Sequence, residues 1–103
     1  MNNKIVVFIS GRGSNAKNII NYFSDNSDLQ VSHVFSNNKH SDFVNHFNNT
    51  NVQYFLFEED EINGKVFKEL KTINPKLIIL AGFLKKIPSI YINFFKNKII
   101  NIH

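Results

Sequence analysis

The run Ile5-Val6-Val7-Phe8-Ile9 constrains this chain more than any other stretch. A strand with one solvated face would alternate apolar and polar residues. This run does not, so it reads as a central strand covered on both sides, the pattern of a parallel sheet. Ser10-Gly11-Arg12-Gly13-Ser14-Asn15 then breaks the pattern. Beyond it, Ala16, Ile19, Ile20 and Phe23 recur at i, i+3, i+4 and i+7, the buried stripe of an amphipathic helix. The order is strand, glycine-rich turn, helix. Ser14 or Asn15 is expected as the N-cap, its side chain accepting from free N–H groups of the first turn.

In that arrangement the free N–H groups and the positive end of the helix dipole converge on the turn, and glycine lets an anion approach the backbone. The turn is a candidate phosphate or carboxylate cradle. The same residues also suit a tight strand-to-helix connection with Arg12 as a solvated charge. There is no Gly-Lys-Ser/Thr of a P-loop, and Ala16 stands where a dinucleotide G-x-G-x-x-G places its third glycine. The spacing says anion site and nothing finer.

Strand and helix patterns go on alternating. Leu29 to Phe35 reads as a second strand, Ser41 to Phe47 as a short helix with Phe43, Val44 and Phe47 inward, and Val52 to Phe57 as a third strand. The acidic run Glu58-Glu59-Asp60-Glu61 suits the positive end of a following helix better than a metal site, since four successive acids on a loop point in different directions. That helix is expected over Ile62 to Ile73, with Val66, Phe67, Leu70 and Ile73 inward, locally weakened by Gly64 and ended by Asn74-Pro75. Leu77 to Ala81 is a second unbroken apolar run, hence another central strand. Gly82 closes it, Pro88 opens a helix with an Ile90, Tyr91, Phe94, Phe95 stripe, and Lys98 to Ile102 begins a fifth strand. The expected fold is α/β: one domain over residues 1–103, a doubly wound, Rossmann-like parallel sheet of about five strands with helices on both faces.

With 103 residues, 43% hydrophobic and eleven Phe, the chain can fill one core. No apolar run approaches the roughly 20 residues of a membrane span, and the chain enters a strand with no leader-like stretch before it. No cysteine is present, which fits a reducing compartment, so the expected location is cytoplasmic and no membrane partner is expected. The net charge is +4, but the lysines are scattered and the aromatics hold core positions. A nucleic-acid surface would cluster basic residues with aromatics between them, so none is expected and anionic small molecules are the better match.

Ligands of doubly wound sheets gather beyond the carboxyl ends of the strands, where the strand order reverses. Three features fall at such ends: the Gly11–Asn15 turn, the Gly82–Ile87 loop, and Asn101-Ile102-His103. Asn101 and His103 are two apart on a strand, so both face one side while Ile102 faces the other. A carboxamide can donate to an oxyanion forming at an attacked carbonyl, and an imidazole can move protons near neutral pH. The pair suits acyl-type transfer. His33, His40 and His46 lie in a strand or on polar helix surfaces and have no such partner on one face at a strand's carboxyl end.

These residues resemble a family. Ile-Ser-Gly-Arg-Gly-Ser-Asn after an opening strand, then Leu80-Ala81-Gly82-Phe83-Leu84-Lys85-Lys86-Ile87, then Ile100-Asn101-Ile102-His103 look like the N-terminal half of the phosphoribosylglycinamide formyltransferases, which belong to the folate-dependent formyltransferases. The resemblance implies formyl transfer from 10-formyltetrahydrofolate, as co-substrate, to the amino group of glycinamide ribonucleotide in purine synthesis. It implies that Gly13, Ser14 and Asn15 hold the substrate phosphate and that Leu84, Lys85, Lys86 and Ile87, with Asn101, line the folate pocket. Asn101 would polarise the formyl oxygen and His103 would transfer the proton. No metal is implied. The oligomeric state is left open.

The family's third catalytic residue, a downstream Asp, and its Pro-Ser-Leu-Leu-Pro stretch after the His have no counterpart within these 103 residues. Lys85-Lys86 also stands where an Arg followed by an apolar residue is usual. The expectation is therefore a partial, truncated chain with impaired turnover alone. The alternatives are a non-catalytic module or remnant that binds phosphorylated metabolites, or a basic RNA-binding domain.

Overall fold

A computed structural model describes residues 3–11, 14–24, 28–38, 51–83 and 85–102. Five strands are present: β1 (Lys4–Ile9), β2 (Gln30–Ser36), β3 (Gln53–Leu56), β4 (Leu77–Ala81) and β5 (Ile99–Ile102). They form one sheet in the order β3-β2-β1-β4-β5, and every neighbouring pair is parallel. The described helices are α1 (Ser14–Phe23), α2 (Lys65–Ile73) and α3 (Ser89–Phe94), with a 3₁₀ turn at Glu59–Glu61. This is the expected doubly wound α/β architecture. None of the described helices is long and apolar enough to cross a membrane. The expected helix at Ser41 to Phe47 lies outside the described residues.

The two unbroken apolar runs are β1 and β4, two of the three inner strands, as burial on both faces demands. Ile5, Val7 and Ile9 face α1, packing with Ala16, Ile20, Ile79 and Ala81. Val6 and Phe8 face the other way, packing with Phe35, Ile78, Leu80, the α2 residues Val66, Phe67, Leu70 and Ile73, and Tyr91 and Phe95. Right-handed crossovers explain the assignment. The step from β1 to β2 runs in one direction along the sheet and puts α1 on one face. The steps from β3 to β4 and from β4 to β5 run in the opposite direction, so α2 and α3 lie on the other.

Phe8 is the hub of the second core. Its ring stacks on Phe35 at 5.2 Å between centroids and meets Phe57, Phe83 and Tyr91 edge-on at 6.0, 5.4 and 6.4 Å. These offset and edge-to-face arrangements suit the ring quadrupole.

Local details depart from the simple periodicities. In β2 the register slips between Ile5↔Val31 and Val6↔His33, so Ser32 is an extra residue, a β-bulge. The bulge lets Val31 and Val34, three apart, both join the α1-side core. The helix expected from Ile62 begins instead at Lys65, directly after Gly64, because the acidic residues close a turn of their own. Glu61 accepts a hydrogen bond from the Glu58 backbone N–H at 2.7 Å. Asn74 ends α2 in the left-handed conformation, φ 54°, its N–H donating to the Leu70 carbonyl. The four-residue stripe of α3 is corrected: Tyr91 and Phe95 are buried, whereas Ile90 and Phe94 are 44% and 57% exposed. A six-residue helix touches the sheet along one i, i+4 line, which has no room for a second pair.

Candidate active site

The carboxyl ends of β1, β4 and β5 lie side by side, and the order reverses between β1 and β4, where the chain leaves β1 for β2 on one side and later returns to β4 on the other. A crevice at such a point is a general consequence of this topology. The three stretches singled out in the sequence begin at these three ends.

At the end of β1, α1 starts at Ser14, so Ser14 and Asn15 lie in its first turn. Gly13, with Arg12, lies outside the described residues. The N–H groups of Ser14 and Asn15 are among the four that an α-helix leaves without an intrahelical acceptor. The first turn carries no acidic residue, and Asn15 is exposed. A Cβ placed on Gly11 would meet nothing within 4 Å, so the approach to this turn is open on that side.

At the end of β4, Gly82 adopts φ +73°, a conformation that side-chain-bearing residues rarely take. This turn folds Phe83 back over the sheet against Phe8 and Phe57. Lys85 and Lys86 are exposed. The Lys85 Nζ lies 3.4 Å from Glu59 Oε1. Both lysines line a pocket of about 180 Å³ together with Asn37, Phe57, Glu59, Ile62 and Phe83. Ile87 is buried in the core with Tyr91 and Phe95, where it anchors the loop's far end. Leu84 lies outside the described residues.

At the end of β5, Asn101 is exposed and pairs in register with Leu80, which in turn pairs with Phe8. Strands are about 4.8 Å apart, so Asn101 stands about 10 Å across the sheet from β1. It shares the α2–α3 side with Ile99, whereas Ile100 and Ile102 turn toward the α1 side, as expected for Asn101 and Ile102 from alternation. His103 lies outside the described residues.

The structure thus places the α1 N-terminus and Asn101 at the ends of β1 and β5, with β4 between them, but it turns Lys85 and Lys86 toward the ends of β2 and β3. Asn37, Phe57, Glu59 and Ile62 were not singled out from the sequence. Asn37 and Phe57 directly follow β2 and β3, and that position at a carboxyl end was the available signal.

Electrostatics separates surface groups from structural ones. The Glu58 N–H bond, aided by Lys65 3.5 Å away, holds the Glu61 carboxyl below the usual carboxylate range. His33 is buried in mid-β2, stacked on Phe55 with centroids 5.8 Å apart and its Nδ1 2.6 Å from Ser32 Oγ. Burial pushes its pKa down, Lys4 adds to the effect, and Glu69 opposes it. Among the described residues, no three His, Asp or Glu side chains gather as a metal site.

Solved structures share this architecture. The phosphoribosylglycinamide formyltransferase of Anaplasma phagocytophilum superposes with a TM-score of 0.86 and 30% identity over all of this chain and 50% of its own. The glycinamide ribonucleotide transformylase 1 of Geobacillus kaustophilus gives 0.85 and 23%, over all of this chain and 58% of its own. A formyltetrahydrofolate deformylase of Pseudomonas putida shares the fold, with a TM-score of 0.79 at 19% identity, over all of this chain and 38% of its own. The chain therefore spans about half the length of the two transformylases. The sequence profile of the formyl transferases matches residues 3–103. With that match, and with the glycine-rich turn, the loop beyond β4 and Asn101 all set at adjacent strand ends, the chain belongs to the formyl transferase family.

Proposed function

We propose that this chain is the phosphate-binding and formyl-handling half of a phosphoribosylglycinamide formyltransferase that acts in the cytoplasm on two small molecules. The observation that carries the reading is the adjacency of the β1, β4 and β5 carboxyl ends. The backbone of Gly13, Ser14 and Asn15 holds the phosphate of glycinamide ribonucleotide at the positive end of α1. The substrate amine attacks the formyl carbon of 10-formyltetrahydrofolate. As the new C–N bond forms, the Asn101 carboxamide donates to the oxygen on which negative charge develops. The bond from the formyl carbon to folate N10 then breaks, and His103 carries the amine proton to N10.

Leu84, Lys85, Lys86 and Ile87 border the folate. Apolar Phe57, Ile62 and Phe83 beside two cations suit a flat, carboxylate-bearing ligand. A pocket of about 180 Å³ takes only part of a molecule that size, since sites for drug-sized ligands run to roughly 300–1,000 Å³. The remaining walls, and an acidic partner for the imidazole, belong to the part of the fold that the longer relatives carry.

Two measurements test this. Calorimetry should show glycinamide ribonucleotide binding to this chain, weakened at least tenfold when competing phosphate is raised. Formyl transfer should be low with this chain alone and should rise when it is joined to the second half of a relative. Binding without turnover in either form would favour a non-catalytic phosphometabolite module. Absence of binding would remove the reading.

A further inference from the structure

We infer that α3, the carboxyl end of α2 and the starts of β4 and β5 form a docking surface for an anionic lipid bilayer. The surface centres on the amino ends of the strands, opposite the candidate active site. A peripheral contact of this kind needs no membrane-spanning segment.

Charge is the first observation. All eight acidic residues lie at or before Glu69, whereas the chain from Leu70 onward carries six lysines and no acid. The fold gathers four of these lysines. Lys76 directly precedes β4 and Lys98 directly precedes β5, its neighbour in the sheet. Lys71 is in the last turn of α2, and Lys96 lies in the turn from α3 to β5. That turn is fixed: the Lys98 N–H donates to the Phe95 carbonyl at 3.0 Å, and the Lys98 carbonyl accepts from the Ile78 N–H at 2.8 Å. Lys71, Lys76 and Lys96 are exposed. The described acids lie elsewhere. Glu69 is on the far flank of α2, beside Phe55 and Leu56, and Asp28 precedes β2, two strands from β4.

The second observation is apolar exposure in the same place. Ile92 and Phe94 of α3 are each 57% exposed, and Ile90 is 44% exposed. Ile90 and Phe94, one helical turn apart, form a row on the α2 side, with Ile92 on the other flank. Phe94 meets Phe67 of α2 edge-on at 5.5 Å between centroids. The Lys71 Nζ lies 5.1 Å from the Phe67 ring centre and 5.9 Å from that of Phe94, so cation and apolar row are continuous.

This combination selects the occupant. A second copy of the chain would set lysines against lysines, which like-charge repulsion opposes. A nucleic acid would find one exposed ring beside two isoleucines, which give bases nothing to stack on. A protein anchor needs a shaped pocket, yet α3 protrudes, with five of its six residues exposed and only Tyr91 buried. Protruding aliphatic and aromatic tips ringed by lysines match a soft surface, with the tips among the acyl chains and the cations at the headgroups. The inner leaflet facing the cytoplasm carries the required negative charge, and each lysine near it contributes about fivefold in affinity.

The proposal is independent of formyl transfer, and its test uses none. This chain is sedimented with vesicles of phosphatidylcholine and phosphatidylserine in a two-to-one ratio. It should bind them at least tenfold more tightly than phosphatidylcholine alone, and added salt should weaken the binding. Lys96→Glu should weaken it at least tenfold, whereas Lys17→Glu, the same charge change on α1, should cost less than threefold. Phe94→Ser should weaken it about fivefold at unchanged charge, and Tyr22→Ser, on a more exposed ring of α1, should not. Ile92→Ser, outside the Phe67 and Phe95 ring contacts, replaces Phe94→Ser if the dichroism of that variant shows loss of fold. Equal binding to neutral vesicles, or equal losses from Lys96→Glu and Lys17→Glu, would overturn the proposal. So would tight binding of poly-glutamate or RNA that Phe94→Ser and Ile92→Ser leave unchanged, since the surface would then select charge alone.

Discussion

Lys85 and Glu59 form an ion pair, Nζ to Oε1 3.4 Å, that ties the loop beyond β4 to the acidic turn before α2. Both side chains are more than half exposed, so the pair contributes at most about 0.5 kcal/mol to stability. Lys85→Ala should leave the urea midpoint nearly unchanged. Glu59→Gln should free the lysine and strengthen binding of a carboxylate-bearing folate several-fold, the gain shrinking as salt is raised. Titrations at two ionic strengths check this.

Asn15→Asp separates the two uses of a helix N-terminus. A carboxylate in the first turn of α1, which has no acid there now, should stabilise the fold by about 0.3–1 kcal/mol through the helix dipole. The same charge should repel a phosphate seated at that turn. The expected result is a raised melting temperature with glycinamide ribonucleotide binding at least tenfold weaker. Unchanged binding would move the phosphate elsewhere.

Tyr91 is fully buried, and its hydroxyl donates to the Ile62 carbonyl at 2.5 Å, linking α3 to the turn before α2. Burial raises its phenol pKa, so the group stays a neutral donor. Tyr91→Phe keeps the ring and strands the carbonyl, a loss of about 1–2 kcal/mol. Tyr91→Ala also opens a cavity, about 3–5 kcal/mol in all. Urea unfolding of the two variants should rank them in that order.

His33 makes stability depend on pH. Its folded-state pKa lies below 6.5, the value it approaches when unfolded. Between the two, only the unfolded chain takes up the proton, so stability is complete above 6.5 and declines as pH falls through the folded-state value. His33→Phe should flatten this part of the profile. Urea midpoints of parent and variant at pH 7.5, 6.5 and 5.5 measure it.

Several features were legible in order along the chain because they depend on near neighbours. Two unbroken apolar runs mark β1 and β4 as inner strands, since any solvated face would have imposed alternation. The stripe on α2 and its Asn74-Pro75 end follow from helical period and backbone sterics. The three loops of the candidate site could be named because parallel strands put ligands at one end. The Ser32 bulge, the exposure of Ile90 and Phe94, and the turn of Lys85 toward Glu59 could not be read this way. Each depends on partners distant in sequence: β1 sets the β2 register, the sheet decides which side of a short α3 is covered, and Glu59 reaches the β4 loop only after the chain has folded.

By itself, then, the sequence determined the alternating strand and helix elements, the parallel sheet and the three motifs, because these follow from local periodicity and glycine stereochemistry. Only the tertiary structure decided the strand order β3-β2-β1-β4-β5, and with it which loop ends are neighbours and which face of β5 is left bare. Strand order is set by pairing between distant segments and by crossover handedness, and neither leaves a mark on any single stretch of residues.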